Sequence, residues 1–428
     1  MILIKNAHVV DAKTHTDKML SLLLQDGKIQ AMEESIDKAR YDEAKVQVID
    51  AKGSYVLPGL IDVHVHFRDP GFTYKEDIAT GAQAAAKGGF TSVVMMANTK
   101  PAVDNIDTLR YVLNQGKAAP IHVYACATIT KGLLGRELTD MEALRKEGAA
   151  GFTDDGIPIL DEQLLRAAME RAAQLGVVLS LHEENPEYIE NNGVNAGGAA
   201  ARHYQIGGSD RRAEISMIDR DLELALQTGA VLNIQHISTK EGVELVRQAK
   251  RRGKHIHAEA TPHHFTLTEE AVIEHGTLAK MNPPLRLEED RQAIIEGLKD
   301  GTIDLIATDH APHSREEKEK PITLAPSGII GLETALPLAV THLVREGHLT
   351  MEQLVERMSL APARLYGIDA GYLAPGGAAD LVIVDMERQH TVGNFRSKSD
   401  NSPFTGQKLY GTIEYTIADG RIVYQREE

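Results

Sequence analysis

A single cysteine, Cys126, occurs among the 428 residues. That excludes an internal disulfide, a cysteine zinc cluster and a CxxC redox pair. Any metal must then be held by histidines and carboxylates. Basic charge is also short: 46 Lys and Arg stand against 62 Asp and Glu, a formal net charge of −16, which repels polyphosphate and anionic lipid at long range. Neither nucleic acid nor a membrane surface is an expected partner. No run reaches the roughly 18 apolar residues that a membrane span needs, and the opening residues MILIKN do not begin a charged-then-apolar targeting segment. A cytoplasmic protein is expected. Its 42% hydrophobic content supplies a core and leaves no case for disorder, and its length suits one large domain with a smaller companion.

A phosphate-cradling loop is missing too. No GxGxxG or Walker-type motif follows the first strand of the α/β region, which counts against a doubly wound open sheet. What is present is a pattern in three parts. Residues 1–54 read as short strands, ILIKNAHVV, LSLLLQDGKIQAM and VQVIDAKG, with Asp26-Gly27 as a hairpin signal. Residues 369–428 repeat this in DLVIVD and TIEYTIADGRIVYQ, where Asp419-Gly420 is the turn. Neither end makes a stable core alone, so both are expected to pair in one small β-sandwich domain. Between them, residues 55–368 alternate apolar strands with amphipathic or Ala-rich helices. The strands are YVLPGLIDVHVH, TSVVMMAN, IHVYACAT, AAGFTDD, VVLSLH, VLNIQH, HIHAEAT and IDLIATDH, separated by helices such as KEDIATGAQAAAKGG, DEQLLRAAMERAAQLG and RQAIIEGLKDG. Eight such units predict an α/β fold with a (β/α)8 TIM-like barrel.

In such barrels the active site lies at the C-terminal ends of the strands. Here those ends read His64-Val65-His66, Asp154-Asp155, His182, His236 and Asp309-His310. Residues two apart on a strand share a face, so His64 and His66 aim together into the barrel mouth while Val63 and Val65 are expected to pack outward. The same alternation groups Gly151, Thr153 and Asp155, small residues that suit a crowded interior, and makes Asp155 the inward ligand with Asp154 the alternative. In strand eight it sets Leu305, Ala307 and Asp309 inward and His310 outward. Four histidines and two carboxylates suit zinc and can also hold manganese, cobalt or iron. One metal leaves ligands over; two, about 3.5 to 4 Å apart and bridged by a carboxylate, use all six and activate water at neutral pH. A zinc-dependent hydrolase with one or two ions per chain, two favoured, is the expectation. His257, His263 and His264 near strand seven read as core or outer-shell histidines.

These residues also carry a resemblance. PGLIDVHVHFRDPG at 58–71 and ATDHAPH at 307–313 resemble the two defining motifs of dihydroorotases in the amidohydrolase superfamily. TKP at 99–101, FTDDG at 152–156, TPHH at 261–264 and MNPPLR at 281–286 fall in the order seen in the bacterial class I, long-chain type. The resemblance implies that His64, His66 and Asp309 hold one metal, that His182 and His236 hold the other, and that an aspartate bridges them where hydantoinases use a carboxylated lysine. It also implies that Arg68, Asn98, Asn282 and His313 contact substrate, with a backbone contact to it at Ser327 and Gly328. Two positions depart from the pattern: Ala97 precedes Asn98 where proline is usual, and Ser327 stands where phenylalanine is common. The charged run 313–321 reads equally as a solvated face or as a mobile loop over the site.

The implied reaction interconverts N-carbamoyl-L-aspartate and L-dihydroorotate, with Asp309 as catalytic acid and base. Arg68 suits a substrate carboxylate. The rivals are a hydantoinase or allantoinase and an inactive subunit associated with aspartate transcarbamoylase. The resemblance further implies a small-molecule substrate, a homodimer and room for association with aspartate transcarbamoylase.

Overall fold

The computed structural model describes residues 1–37 and 46–427. The N-terminal strands are β1 (Ile2–Asp11), β2 (Thr16–Gln25), β3 (Lys28–Glu33), β4 (Gln47–Asp50) and β5 (Tyr55–Pro58). The C-terminal ones are β13 (Leu381–Thr391), β14 (Lys408–Ala418) and β15 (Arg421–Gln425). All join one eight-stranded sheet in the order β15-β14-β13-β5-β1-β2-β3, with β4 paired to β1. The two chain ends meet where β5 runs antiparallel to β13. Both Asp-Gly pairs turn as read: Asp26 and Gly27 have φ of 51° and 73°, Asp419 and Gly420 of 51° and 69°, the left-handed pair a tight hairpin needs. Alternation along the sheet splits its side chains. Val56, Leu381 and Ile383 fill the sheet's own core, while Leu57, Val382 and Val384 pack into the barrel's helical layer.

The barrel strands are β6 (Leu60–Val65), β7 (Phe90–Met95), β8 (His122–Ala125), β9 (Val178–Leu181), β10 (Val231–Ile234), β11 (Ile256–Ala260) and β12 (Leu305–Ile306). They form two parallel sheets, β6-β7-β8 and β12-β11-β10-β9. Single bridges close them into a ring: Ala127 with Phe152, Phe152 with Leu179, and Val65 with His310. The expected fourth strand, AAGFTDD, is therefore reduced to one bridging residue, although Phe152 exchanges backbone bonds of 3.0 Å with Val178 and Ser180. The expected first strand is split at Gly59 between the terminal sheet and the barrel. A Cβ there would come within 2.1 Å of Thr91 Oγ1, so only glycine fits. Helices occupy the predicted stretches at Ile78–Lys87, Glu162–Leu175 and Glu288–Asp300. Among the described residues no helix is long and apolar enough to cross a membrane.

Inside the ring, Ile61, Val63, Val94, Met96, Cys126, Val178, Leu305 and Ala307 pack as one cluster. The alternate residues Val65, Val93, Met95, Leu179, Leu232 and Ile234 join the helical layer. Val63 departs from the expected outward placement. The register of β6 against β7 shifts between Asp62 and Val65, and this irregularity lets Val63 and His64 both face the interior.

Candidate active site

The strand ends converge. His64 Nε2 lies 3.6 Å from Asp155 Oδ1 and 3.5 Å from Asp309 Oδ1. His66 Nε2 lies 3.3 Å from Asp155 Oδ2 and 2.9 Å from Asp309 Oδ1. On the other side of Asp155, His182 Nδ1 is 3.7 Å and His236 Nε2 3.9 Å from Oδ1, and the two rings meet at 2.9 Å. All six residues are buried. Asp154 points away: its carboxylate accepts from the backbone of Ile129 at 2.8 Å and of Thr130 at 3.1 Å, and burial pushes its carboxyl up to about 6. His310 likewise faces outward, against Phe67 and Glu76.

Backbone conformation brings two of these groups in. By alternation His236 would follow Leu232 and Ile234 to the helical side, but its φ of 30° turns the ring inward. Asp309 has φ of 46° and Arg68 of 59°. Left-handed backbone at three non-glycine residues stores strain, and here it gathers at one mouth.

The electrostatics fit a cation. Burial opposes charge on His64, yet Glu259, Asp309 and Asp155 outweigh it and hold the imidazolium well above its ordinary range. Burial likewise opposes charge on Asp155, but His64, His66 and His182 keep its carboxyl well below the usual one. His236 is pushed well below by burial, then by His182 and His64. His64 Nε2 and His236 Nδ1 are buried without a hydrogen-bond partner. Two overlapping groups, His64-Asp155-His236 and His64-His66-Asp309, bring their ligand atoms within 4.8 Å of one another. Nitrogen and carboxylate donors with bare buried nitrogens fit a borderline metal that displaces ring protons.

Beside this cluster lies a second, cationic wall. Arg68 Nε donates to Pro312 O at 3.3 Å, and its Nη2 lies 3.4 Å from His313 Nε2. His313 Nδ1 sits 3.2 Å from both Lys75 Nζ and Glu317 Oε2. Burial, then Arg68, Lys75 and Lys318, lower its pKa to about 2, so the ring is neutral. Asn98 accepts from His66 Nδ1 at 2.9 Å and donates to Asp155 Oδ2 at 3.1 Å, which ties it to the histidine cluster despite the preceding Ala97. Asn282 Oδ1 accepts from Ser327 Oγ at 2.9 Å, and Gly328 N donates to Lys280 O.

The sequence pattern of the amidohydrolase family matches residues 55–423. The chain belongs to the amidohydrolase family. It is 54% identical over 424 residues to the dihydroorotase of Clostridioides difficile (strain 630), covering 99% of this chain and 100% of that one. With the dihydroorotase of Clostridium acetobutylicum it shares 49% over 427 residues, again 99% and 100%. Among solved structures, L-hydantoinase (dihydropyrimidinase) from Arthrobacter aurescens matches with a TM-score of 0.88 at 28% identity, covering 100% of this chain and 96% of that one. Dihydropyrimidinase from Brevibacillus agri NCHU1002 matches with 0.85 at 22%, covering 99% and 95%, a likeness of fold.

Within this amidohydrolase site, several supporting groups escaped the reading of strand ends. Glu259 meets His64 Nδ1 at 3.1 Å, and Glu184 meets His182 Nε2 at 3.0 Å. Lys75, nine residues past His66, was not singled out because it opens the stretch read as a helix; the helix itself begins at Ile78. Glu184 carried a signal, standing two residues past a strand-end histidine. Of the strand-seven histidines, His264 is satisfied by Thr261 Oγ1 and Pro283 O, and His257 lies 3.6 Å from Asp304. His263 differs, since its Nε2 is buried and unpartnered.

Proposed function

We propose that this amidohydrolase is a dihydroorotase, interconverting N-carbamoyl-L-aspartate and L-dihydroorotate plus water in pyrimidine biosynthesis. The observation that carries the reading is the pairing of two neighbouring walls: a His/Asp cluster centred on the chain's own Asp155, and a cationic wall of Arg68 with neutral His313. The first suits amide hydrolysis and the second suits an anionic ring. Full-length identity of about half to proteins named dihydroorotase supports the same substrate.

The residues proposed to hold metal are His64, His66, Asp155, His182, His236 and Asp309, with zinc as the metal, one or two ions per chain and two favoured. Bound zinc would polarise the ring carbonyl and activate water for attack. Asp309 takes a proton from the attacking water and delivers it to the leaving ring nitrogen; ring closure reverses the transfer. Arg68 pairs with the substrate carboxylate through two parallel N–H bonds. His313, neutral beside it, adds a hydrogen bond without adding charge, and Asn98 and Asn282 orient the ring, with Ser327 and Gly328 completing the wall. Residues 55–368 form the catalytic domain in this reading, and residues 1–54 and 369–428 the β-domain. The proposal extends to a cytoplasmic homodimer able to associate with aspartate transcarbamoylase.

The test offers L-dihydroorotate, hydantoin and allantoin separately to the purified protein and follows ring opening of each. Turnover of dihydroorotate alone is the expected result. Preferential turnover of a neutral ring would instead favour the hydantoinase reading, which the TM-score of 0.88 keeps as the second candidate.

A further inference from the structure

Barrel interiors of this kind are ordinarily filled by branched apolar side chains. Here β9, β10 and β11 instead aim Ser180, Asn233 and Glu259 into one layer, and all three are 0% exposed. Asn233 pairs in register with Ser180 on one side and His257 on the other. Its Nδ2 donates to Ser180 Oγ at 2.8 Å and to Glu259 Oε1 at 2.6 Å. The other carboxylate oxygen, Oε2, lies 3.1 Å from His64 Nδ1. Among the described residues, His64 is the ion-pair partner of Glu259.

Sinking a carboxylate into a dry interior is strongly unfavourable unless its charge is matched. The arrangement becomes coherent through the other ring nitrogen. With Glu259 accepting from Nδ1, His64 turns Nε2 toward the oxygens of Asp155 and Asp309 at 3.6 and 3.5 Å. These separations exceed a good hydrogen bond, and Nε2 has no hydrogen-bond partner. Once the Nε2 proton is displaced, that nitrogen and the two carboxylate oxygens converge on one buried point and offer three donors to a cation.

We propose that Glu259, seated by Asn233, is a positioning residue. It fixes His64 as an Nε2 donor to the metal and raises the basicity of that nitrogen. The inference rests on the metal reading of the site.

Two measurements test it. Zinc affinity is read by competition with a chromophoric chelator for the wild type, Glu259→Gln and Asn233→Ala. The Gln substitution keeps the side-chain size and removes the charge. Its zinc affinity is expected to fall about 10- to 100-fold, with a smaller fall for Asn233→Ala. The second measurement needs no variant: ¹⁵N chemical shifts of the zinc-loaded wild type should show His64 protonated on Nδ1 and metal-bound through Nε2. A Glu259→Gln protein that holds zinc as tightly as the wild type, or a His64 metallated through Nδ1, would overturn the inference alone. A wild-type chain that takes up no zinc would overturn the metal reading and this inference with it.

Discussion

Asp309 occupies a left-handed backbone position, 2.9 Å from His66 and 3.5 Å from His64. Its proposed proton transfer predicts that Asp309→Asn lowers turnover by about 100-fold or more, measured with bound zinc quantified in the same sample; near-normal turnover would remove Asp309 from the mechanism. His313 makes a prediction about pH. Its folded-state pKa of about 2 lies below the unfolded value near 6.5, so between those values the unfolded chain binds the extra proton. Stability is therefore full above about pH 6.5 and falls as the pH drops through that window. Arg68, Lys75 and Glu317 face the ring and shape this loss. Melting curves from pH 7 to 5 should show a flatter decline for His313→Gln than for the wild type. At this scale, strand alternation set Asp155 on the side of the histidines and Asp154 on the other, as the contacts show, although only Phe152 of that segment keeps a bridge. It misread Val63, where the register of β6 shifts, and it carried no hint of how His236 turns inward, since a single positive φ leaves no periodic trace. Glu259 was invisible for another reason: a lone glutamate in a strand looks the same whether it meets solvent or a histidine across the barrel.

The eight βα units were readable as elements because each carries its own period and turn signals, but their lengths depend on neighbours. Strand four keeps only Phe152 as a bridging residue, held between Ala127 and Leu179 and fully buried in the helical layer. It bears the closure of the ring at that point. Phe152→Ala should cost about 3–5 kcal/mol, the range for a large core aromatic, read as a lower denaturant midpoint; a loss under about 1 kcal/mol would mean that the ring closes without it. The charged run after strand eight resolves into the short helix Arg315–Lys318, capped by Ser314. Glu317 is tied to Tyr74 at 2.8 Å and Lys75 at 3.1 Å. Lys318 is buried, bonded to Pro326 O and Gly328 O, and burial, then Lys280, lowers its pKa to about 7. The sequence left a solvated face and a mobile loop level, because the contacts that hold Glu317 come from Tyr74 and Lys75, more than 200 residues away.

Across the whole molecule, the terminal β-domain reaches the site. Asn401, between β13 and β14, donates to Ala311 O and Gly328 O at 3.0 Å each and accepts from His313 N at 3.0 Å. The partner termini were legible from their matching hairpins, whereas this long-range clamp was not, because an asparagine in a loop has no partner written beside it. Barrel, terminal sheet and cationic wall thus converge on one claim: a metal-dependent hydrolase for an anionic cyclic amide. The most direct test strips the protein with chelator, titrates it with zinc, and follows L-dihydroorotate ring opening at each addition. The stripped chain is expected to show no turnover, followed by a rise that saturates at one to two zinc per chain. Full turnover by the metal-free chain, or none after the sites are filled, would contradict it.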